Sequence, residues 1–545
     1  MLRFWFVALL PALVFAQQTP PPLEFRDLMD QPPSRAKDYA SELYLLQKAD
    51  EKEARALFYR VRAPKPSHLS AMAEKSGDRA LSALLACRNA GTRELLNASA
   101  ECLSVALSPA RAVHLEPAER RKMADRVESV DPIKAHIFRV MAGPSPLIDS
   151  LDEPDAFFAI ALQGPLDYLR GHADRALSAD QIRRIESDPR MTNLLERSFV
   201  HDYPPKLTAS LLATDPSRLD HKGALYLGLH ALQKGQKALA IAAFGAAESK
   251  GWNRYGKDRA LFWLYQASGD RAHLEELAGS FDVNFYALIA KERVGQAWPQ
   301  VQTRVPPTPD AKAVYGEKEL FDPFFWARLQ GVIARQDSAQ MQTELDKLGH
   351  NRAEPYRAAI VRRMGSGQNH YFLNPWPDLI ADMGISDRAV FLALMRQESH
   401  FIPAAISTSY AIGSMQFMPF LIEHMDKERR QRPNAWAHFS PYNQIPYAKV
   451  HLKWLQARLA HPLHIAYAYN GGIGFTRRML EGDIFGSGPY EPFMSLERVP
   501  IEEPREYGKI ILANYAIYRK LMGDPISMEQ LLKTLVPPTD LYPSR

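Results

Sequence analysis

Apolar positions recur every three to four residues through most of this chain, which is the period of an amphipathic α-helix. Strand-like alternation is scarce between residues 38 and 363. Alanine- and leucine-rich segments at 223–233, 236–249 and 257–268 are separated by short turns of Gly, Lys and Asp. Consecutive helices with short connections pack as antiparallel pairs, and stacked pairs form a superhelix. The pattern predicts an all-α chain whose N-terminal part is a degenerate helical-repeat superhelix.

A chain of 545 residues is long enough for two or three domains. Proline- and glycine-rich stretches suggest where they divide, and the most linker-like is Val305-Pro306-Pro307-Thr308-Pro309. We expect a signal peptide at 1–16, a proline-rich lead at 17–37, a helical superhelical domain at 38–305, a linker helical domain and junction at 306–370, a catalytic domain at 371–525 and a C-terminal tail at 526–545.

The N-terminus has the pattern of a secretory signal peptide. Arg3 supplies one positive charge, and the apolar run 4–15 ends before Ala16 and Gln17. That run is too short to span a bilayer, and no later stretch is long and apolar enough to do so. No cysteine follows it, so a lipid anchor is not indicated. We expect an exported protein without an integral membrane segment, periplasmic if the source is a Gram-negative bacterium.

Charge narrows the range of partners only slightly. The net charge of +5 is small for this length, and charged residues make up an ordinary 24%. A modest positive balance suits an anionic wall polymer or surface without identifying one. We expect no nucleic-acid partner.

The chain has two cysteines, Cys87 and Cys102, in helical-looking sequence. In an oxidising compartment they could form a disulfide that clamps two neighbouring helices. They could equally be two buried thiols, because sequence does not supply the Cα separation that a bridge requires. No histidine or acid cluster stands at ligand spacing from them, so we expect neither a metal site nor a catalytic role.

Glu398 is the most informative candidate for a catalytic residue. The run from Ser386 reads as a helix with Ser386 as its N-cap, and Phe391, Leu394 and Met395 share one stripe with Glu398. Desolvating a carboxyl favours its neutral form and raises its pKa, as an acid that must hold its proton near neutral pH requires. The alternative is a helix-end glutamate that reaches water or meets an arginine.

Three blocks set Glu398 in context: Glu398-Ser399, the run from Ala411 to Pro419, and the run from Ala468 to Gly472. In order and separation they resemble the Glu-Ser, Gly-Leu-Met-Gln-x-Met-Pro and Ala-Tyr-Asn-x-Gly blocks of the soluble lytic transglycosylases. The resemblance covers residues 376–519 and implies an arch or ring of helices ahead of a lysozyme-like catalytic domain at 371–525. Without it, the first two thirds would also suit a protein-interaction solenoid.

The resemblance implies a reaction. The family cleaves the bond between N-acetylmuramic acid and N-acetylglucosamine in peptidoglycan and closes a 1,6-anhydro ring on the muramoyl product. One carboxyl, Glu398, would first protonate the departing oxygen and then take the proton from the attacking C6 hydroxyl. The usual glycosidase needs two carboxylates. Such proton transfer requires neither a metal nor an organic cofactor.

Further site residues follow from the same resemblance. The turn around Gly413 would bring Gln416 to the sugar cleft, and Met415 would either form the cleft floor or fill the core. Ser407 would lie near the acetamido group of the substrate. Tyr469 would hold the catalytic carboxyl, or instead pack the helix end.

The last two candidates also have structural alternatives. Asn470 would contact sugar or cap its turn, and Glu503 would support the site or pair with Arg505 at the surface. Other acids, Glu423 and Asp426, are predicted to be surface residues.

Several positions depart from the family pattern and affect turns and packing rather than the acid. They are Ile402, Tyr410, Ser414 and Gln444.

Three functions remain open at this stage. The first is an exported lytic transglycosylase for cell-wall remodelling and turnover, with peptidoglycan glycan strands as partner and other cell-wall proteins as candidate partners of the helical region. The second keeps Glu398 but lets water attack, as in goose-type lysozymes. The third is a non-catalytic scaffold that binds glycan, which the intact Glu398, Gln416 and Tyr469 disfavour.

Overall fold

The computed structural model describes residues 23–535 except 63, 366–369, 483 and 487. The predicted signal peptide, residues 17–22 of the predicted lead, residues 366–369 near the end of the predicted linker domain and junction, and residues 536–545 of the predicted tail lie outside this part. Within it, helices are joined by turns and short 3₁₀ segments, and β-pairing is limited to isolated bridges. No helix in these ranges has the length and apolar character to cross a membrane. The all-α prediction is confirmed.

The helices ahead of the proline-rich linker are α1 Phe25–Asp30, α2 Arg35–Gln47, α3 Glu51–Phe58, α4 Pro66–Ser76, α5 Arg79–Asn89, α6 Ala100–Ala106, α7 Pro109–Ala112, α8 Pro117–Val127, α9 Pro132–Met141, α10 Pro154–Gln163, α11 Leu166–His172, α12 Ala179–Ile185, α13 Met191–Val200, α14 Pro205–Ser210, α15 His221–Gln233, α16 Lys237–Lys250, α17 Arg254–Ser268, α18 Arg271–Ala278 and α19 Phe285–Arg293. The linker region contains α20 Glu317–Leu320, α21 Pro323–Arg335, α22 Ser338–Leu345 and α23 Glu354–Met364. The last third contains α24 Ile385–Ser399, α25 Pro419–Glu428, α26 Pro441–Gln456, α27 Pro462–Gly471, α28 Ile473–Glu481, α29 Phe493–Glu497, α30 Glu502–Leu521 and α31 Met528–Lys533.

Helices α15 to α19 form a stack in which each helix packs on the next. The Asp220 side chain accepts a hydrogen bond from the backbone amide of Gly223 and caps α15. Gly228 lets α15 and α16 approach closely, because a Cβ there would overlap the ring of Phe244. The stack is the paired helical packing that the sequence predicts.

Both ends of the helical region contact the last third of the chain. At one end α19 packs against α30 and α31. At the other, the Arg35 guanidinium donates to the Ile406 carbonyl at 3.4 Å, and the rings of Tyr39 and Tyr410 lie 5.3 Å apart. The Lys65 ammonium sits 3.1 Å from the centre of the Tyr410 ring. Tyr410, one of the departures from the family pattern, thus anchors the N-terminal helices.

The proposed domain limits remain predictions, and two helices bear on them. Helix α1 lies inside the predicted lead, and α31 lies inside the predicted tail. The Arg293 guanidinium of α19 reaches the Glu529 carboxylate of α31 at 2.8 Å. Helix α31 therefore packs as part of the folded body.

Cys87 of α5 and Cys102 of α6 form a disulfide, with Cα atoms 5.4 Å apart. Of the two alternatives left open by the sequence, the structure adopts the bridge. It closes a loop of 15 residues, for which loop entropy gives about 3 kcal/mol of stabilisation.

Replacing both cysteines by serine is expected to lower the free energy of unfolding of the N-terminal helices by about 3 kcal/mol, because the unfolded chain regains the freedom of that loop. Hydrogen exchange of α5 and α6 measures this. Reducing the wild-type protein should reproduce the loss, and the same reductant should leave the double variant unchanged. Equal exchange in the variant and the oxidised protein would contradict the prediction.

Candidate active site

Helix α24 carries Glu398 in its last turn, and it begins two residues earlier than expected. Gly384, with extended backbone at φ −61° and ψ 161°, is its N-cap residue. The prediction that Ser386 caps the helix is therefore wrong. Its hydroxyl instead hydrogen-bonds the Tyr515 hydroxyl of α30 at 2.9 Å, a tertiary contact between distant segments.

Glu398 continues the buried face of α24, as the sequence predicts. Phe391, Leu394 and Met395 on that face are at most 1% exposed, and α24 packs along α30. The Glu398 residue itself remains partly accessible. Burial of the carboxyl raises its pKa to about 7, and the nearby Glu503 charge adds to the rise. A substantial fraction of Glu398 is therefore protonated at neutral pH.

The hydroxyl of Tyr507 donates to the Glu398 carboxylate, with 2.5 Å between Tyr507 Oη and Glu398 Oε1. This bond acts against the rise in the Glu398 pKa. Burial raises the pKa of Tyr507 well above its ordinary value, so its phenol stays neutral and remains a donor. Tyr507 therefore holds the orientation of the acid.

Tyr469 lies close enough for the charge of Glu398 to act on it, but its hydroxyl donates to the Met415 carbonyl at 2.7 Å. The bond expected from Tyr469 to the carboxyl is made by Tyr507. The sequence contained a signal for this, since Glu503 and Tyr507 stand four residues apart on one helix and share a face.

Glu503 and Asn470 meet at the edge of the same cluster. The Asn470 side-chain amide donates to Glu503 Oε1 at 3.0 Å, and Glu503 is exposed. Arg505 does not pair with Glu503. It turns away to the Glu196 carboxylate and to the Val499 carbonyl. Of the two alternatives for Glu503, the structure disfavours the ion pair with Arg505, and the charge of Glu503 acts on Glu398.

The turn that follows the acid is held by Gln444, one of the departures from the family pattern. Gln444 Oε1 accepts from the Met415 backbone amide at 2.9 Å, and Nε2 donates to the Ile412 carbonyl at 2.7 Å. Gly413 has φ +80°, and a Cβ there would overlap the Gln444 carboxamide. The Ser399 hydroxyl joins this turn to the end of α24 through the Ser414 carbonyl at 2.7 Å.

Met415 is 1% exposed and belongs to the main hydrophobic core, which favours the core-filling alternative. The Gln416 amide donates to the Gly413 carbonyl at 2.7 Å. The Ser407 hydroxyl oxygen accepts from the backbone amides of Ser409 and Ala411 at 3.1 and 2.9 Å. The polar groups of Gln416 and Ser407 therefore support their own loops, and their contacts with substrate remain predictions.

Two other acids differ from expectation. Glu423 and Asp426 are each 3% exposed, so their prediction as surface residues is wrong. Glu423 pairs with Lys427 at 2.5 Å, and Asp426 accepts from the Tyr447 hydroxyl at 2.5 Å. Burial of α25 against its neighbours, which local charge patterning does not reveal, accounts for both.

Glu503 is the carboxylate whose negative charge contributes to the raised pKa of Glu398. Across the described ranges, no three or more His, Cys, Asp or Glu side chains cluster so as to hold a metal ion.

A family model matches part of the last third of the chain. Residues 380–484 match the family model described as "Transglycosylase SLT domain". The soluble lytic murein transglycosylase of Escherichia coli strain K12 is 23% identical over 315 residues, which covers 52% of this chain and 48% of that protein. The protein of the same name from Escherichia coli O157:H7 matches to the same extent. The chain thus spans about half the length of the curated relatives it matches.

Two solved structures overlay on most of the chain. An inactive mutant of the lytic transglycosylase Slt from Pseudomonas aeruginosa gives a TM-score of 0.47 at 17% identity, covering 91% of this chain and 83% of that one. The 70 kDa soluble lytic transglycosylase from Escherichia coli gives 0.44 at 17% identity, with 93% and 91% covered. Residues 380–484, which include Glu398 and the turn held by Gln444, are thus similar to the transglycosylase SLT domain.

Proposed function

We propose that this protein is an exported lytic transglycosylase. It cleaves the β-1,4 bond between N-acetylmuramic acid and N-acetylglucosamine in peptidoglycan and releases 1,6-anhydromuropeptides, in cell-wall remodelling and turnover. The observation that carries the proposal is the Glu398 carboxyl, whose pKa is raised to about 7 and which Tyr507 orients at the end of α24 inside the SLT domain.

The first step needs an acid that still holds its proton near neutral pH. An ordinary glutamate would be almost wholly ionised there, whereas Glu398 with a pKa of about 7 is about half protonated. It protonates the glycosidic oxygen as the bond to the muramoyl C1 breaks. The Tyr507 hydroxyl bonds one carboxyl oxygen, which leaves the other for the leaving group.

The second step needs a base. Glu398, ionised by the first step, accepts the proton of the muramoyl C6 hydroxyl as that oxygen attacks C1 and closes the anhydro ring. Proton count balances, because the carboxyl that gives a proton regains one. Glu503 is engaged by the Asn470 amide and supplies negative charge beside the electron-deficient sugar.

A hydrolase of the two-carboxylate type would need a second acid placed to activate water. Glu423 and Asp426 are buried and already partnered, which supports the single-acid reaction. The N-terminal pattern of positive charge and apolar run supports export, to the periplasm if the source is a Gram-negative bacterium.

The product decides between the candidate reactions. Purified sacculi are digested with the mature protein, and the released muropeptides are weighed by mass spectrometry. Products lighter by one water than hydrolytic ones support the transglycosylase. Products with a reducing end would replace it by a lysozyme, and binding to sacculi without release would replace it by a glycan-binding scaffold.

The pH dependence of cleavage is expected to show its basic limb near pH 7, because Glu398 loses its proton there. The Tyr507→Phe variant removes a bond that favours the ionised carboxyl. The Glu398 pKa should therefore rise, the limb should move to higher pH, and kcat should fall about tenfold through loss of orientation. Initial rates on soluble glycan strands between pH 4 and 9 measure both effects.

Tyr469→Phe is the matched control, since its hydroxyl bonds the Met415 carbonyl instead of the acid. It should leave the position of the basic limb unchanged. If Tyr469→Phe shifted the basic limb of the pH profile and Tyr507→Phe did not, the assignment of Tyr507 as the hydroxyl that bonds the acid would be contradicted.

A further inference from the structure

A buried group of charges joins the helical region to the SLT domain, and Glu497 lies at its centre. Glu497 is 1% exposed and accepts from the Trp263 indole at 3.0 Å, from the Tyr286 hydroxyl at 2.5 Å and from the Lys509 ammonium at 2.9 Å. It also pairs with the Arg259 guanidinium. Burial opposes ionisation, but Arg259 and Lys509 hold the pKa of Glu497 well below its ordinary value.

The group extends to a second carboxylate, Glu506. Glu506 Oε1 lies 3.1 Å from Arg259 Nη1 and 3.0 Å from Lys509 Nζ. Its other oxygen accepts from the Tyr255 hydroxyl at 2.5 Å. Arg259 and Tyr255 belong to α17 of the helical region, whereas Glu506 and Lys509 belong to α30. We call Glu497, Glu506, Lys509 and Arg259 the interdomain ion cluster.

Helix α30 presents two faces to two different parts of the molecule. Glu506 and Lys509 point to the interdomain ion cluster, while Tyr507, between them in sequence, points to Glu398. Gly508 allows α30 to lie close to α27, because a Cβ there would overlap the Tyr467 ring. A shift or rotation of α30 would therefore move the Tyr507 hydroxyl relative to the acid.

We propose that the interdomain ion cluster makes the helical region a positioning element for the catalytic acid. By anchoring α30 from the opposite side, Arg259 and Glu497 keep the Tyr507 hydroxyl in hydrogen-bond contact with Glu398. Arg259 and Glu497 are therefore positioning residues. The cleavage readout of this inference rests on the proposed function, whereas the pKa of Glu398 measured by unfolding does not.

The physical basis is the high cost of rearranging buried charges. Each charged member of the cluster is surrounded by partners that only one register of α30 supplies, and a slip would leave a desolvated charge unpaired. A short bond such as that from Tyr507 to Glu398 depends steeply on distance and angle. The cluster can therefore affect Glu398 without touching it.

The test compares three single-residue variants of the full mature chain: two with a substitution in the cluster and one control. Arg259→Lys keeps the charge but loses the forked contact to Glu497 and Glu506, and Glu497→Gln removes the central charge. The control, Arg293→Lys, makes the same exchange at another interdomain pair, to Glu529 of α31. If Glu497→Gln does not fold, Arg259→Lys carries the test.

Two readouts are taken for each protein. The first is the pH dependence of cleavage of glycan strands. The second needs no activity: the pH dependence of unfolding is compared between each protein and its Glu398→Gln counterpart, and the difference reports the pKa of Glu398 in the folded state. The groups facing that carboxyl are Tyr507 and Glu503 from α30 and Tyr469 from α27.

Arg259→Lys is expected to raise the Glu398 pKa and lower kcat about tenfold with little change in KM. Combined with Tyr507→Phe, it should raise the pKa no further than Tyr507→Phe alone, because the cluster then has no hydroxyl to position. Arg293→Lys should leave the pKa unchanged.

An equal Glu398 pKa in wild type and Arg259→Lys would overturn the inference. The cluster would then contribute only to stability. Additive pKa shifts in the double variant would also overturn it. If the wild-type protein does not cleave glycan but the unfolding readout shows the shift, the positioning role stands and the proposed function fails.

Discussion

Replacing Glu398 with glutamine is expected to abolish glycan cleavage, with a loss of about 10³-fold or more, while making the fold more stable at neutral pH. The loss is large because, in the proposed reaction, one carboxyl serves as both acid and base, and an amide does neither. Glutamine keeps the shape and an oxygen that can accept from Tyr507. The change therefore removes the proton chemistry and little else.

The gain in stability follows from the raised pKa. Burial raises the pKa of Glu398 to about 7 in the folded state, against an ordinary value of 4.5. As pH rises between these values, the unfolded state loses its proton first, so the folded state loses stability across this window. Glutamine does not titrate and escapes this loss. Above pH 7 its free energy of unfolding should exceed that of the wild type by on the order of 1–3 kcal/mol, with no difference below about pH 4.5.

Thermal unfolding between pH 4 and 8, with muropeptide release measured alongside, checks both parts. Glu428→Gln is a suitable control, since Glu428 is exposed and pairs with His424 on the surface. It should retain wild-type activity. Residual cleavage by Glu398→Gln above about a tenth of the wild-type rate, or a stability difference independent of pH, would refute the assignment.

Gly413→Ala should cost about 2–5 kcal/mol of stability and reduce catalytic efficiency about 100-fold. Gly413 has φ +80°, where an L-residue is strained by about 1–2 kcal/mol, and its new methyl group would overlap the buried Gln444 carboxamide. Gln444 holds the Met415 amide and the Ile412 carbonyl. Displacing it would disturb the turn that borders the acid.

Gly474→Ala is the matched control in the same domain. Gly474 lies in α28, and its added Cβ would make only an ordinary contact with the Arg478 side chain at 3.5 Å. It should be neutral or slightly stabilising, because alanine reduces the freedom of the unfolded chain. Chemical unfolding and initial cleavage rates compare the two variants. Equal stability of Gly413→Ala and wild type would show that the turn tolerates a side chain.

Sequence periodicity alone predicted the all-α fold, the stacked helices before the linker and the place of Glu398 on a buried helical stripe. These features depend on residues a few positions apart, and the 3.6-residue repeat records them directly. The desolvation of Glu398 followed from the same stripe, because apolar neighbours on α24 must pack against another element.

Only the tertiary structure decided which hydroxyl holds the acid, which acids are buried and what anchors α30. Tyr507 and Glu398 lie 109 positions apart, and the choice between Tyr507 and Tyr469 depends on how α30 and α27 cross α24. Ser386 bonds Tyr515 rather than its own backbone for the same reason. The interdomain ion cluster joins residues more than 200 positions apart. Packing between distant helices sets these contacts. Local pattern shows only which residues share a face of one helix, as Glu503 and Tyr507 do.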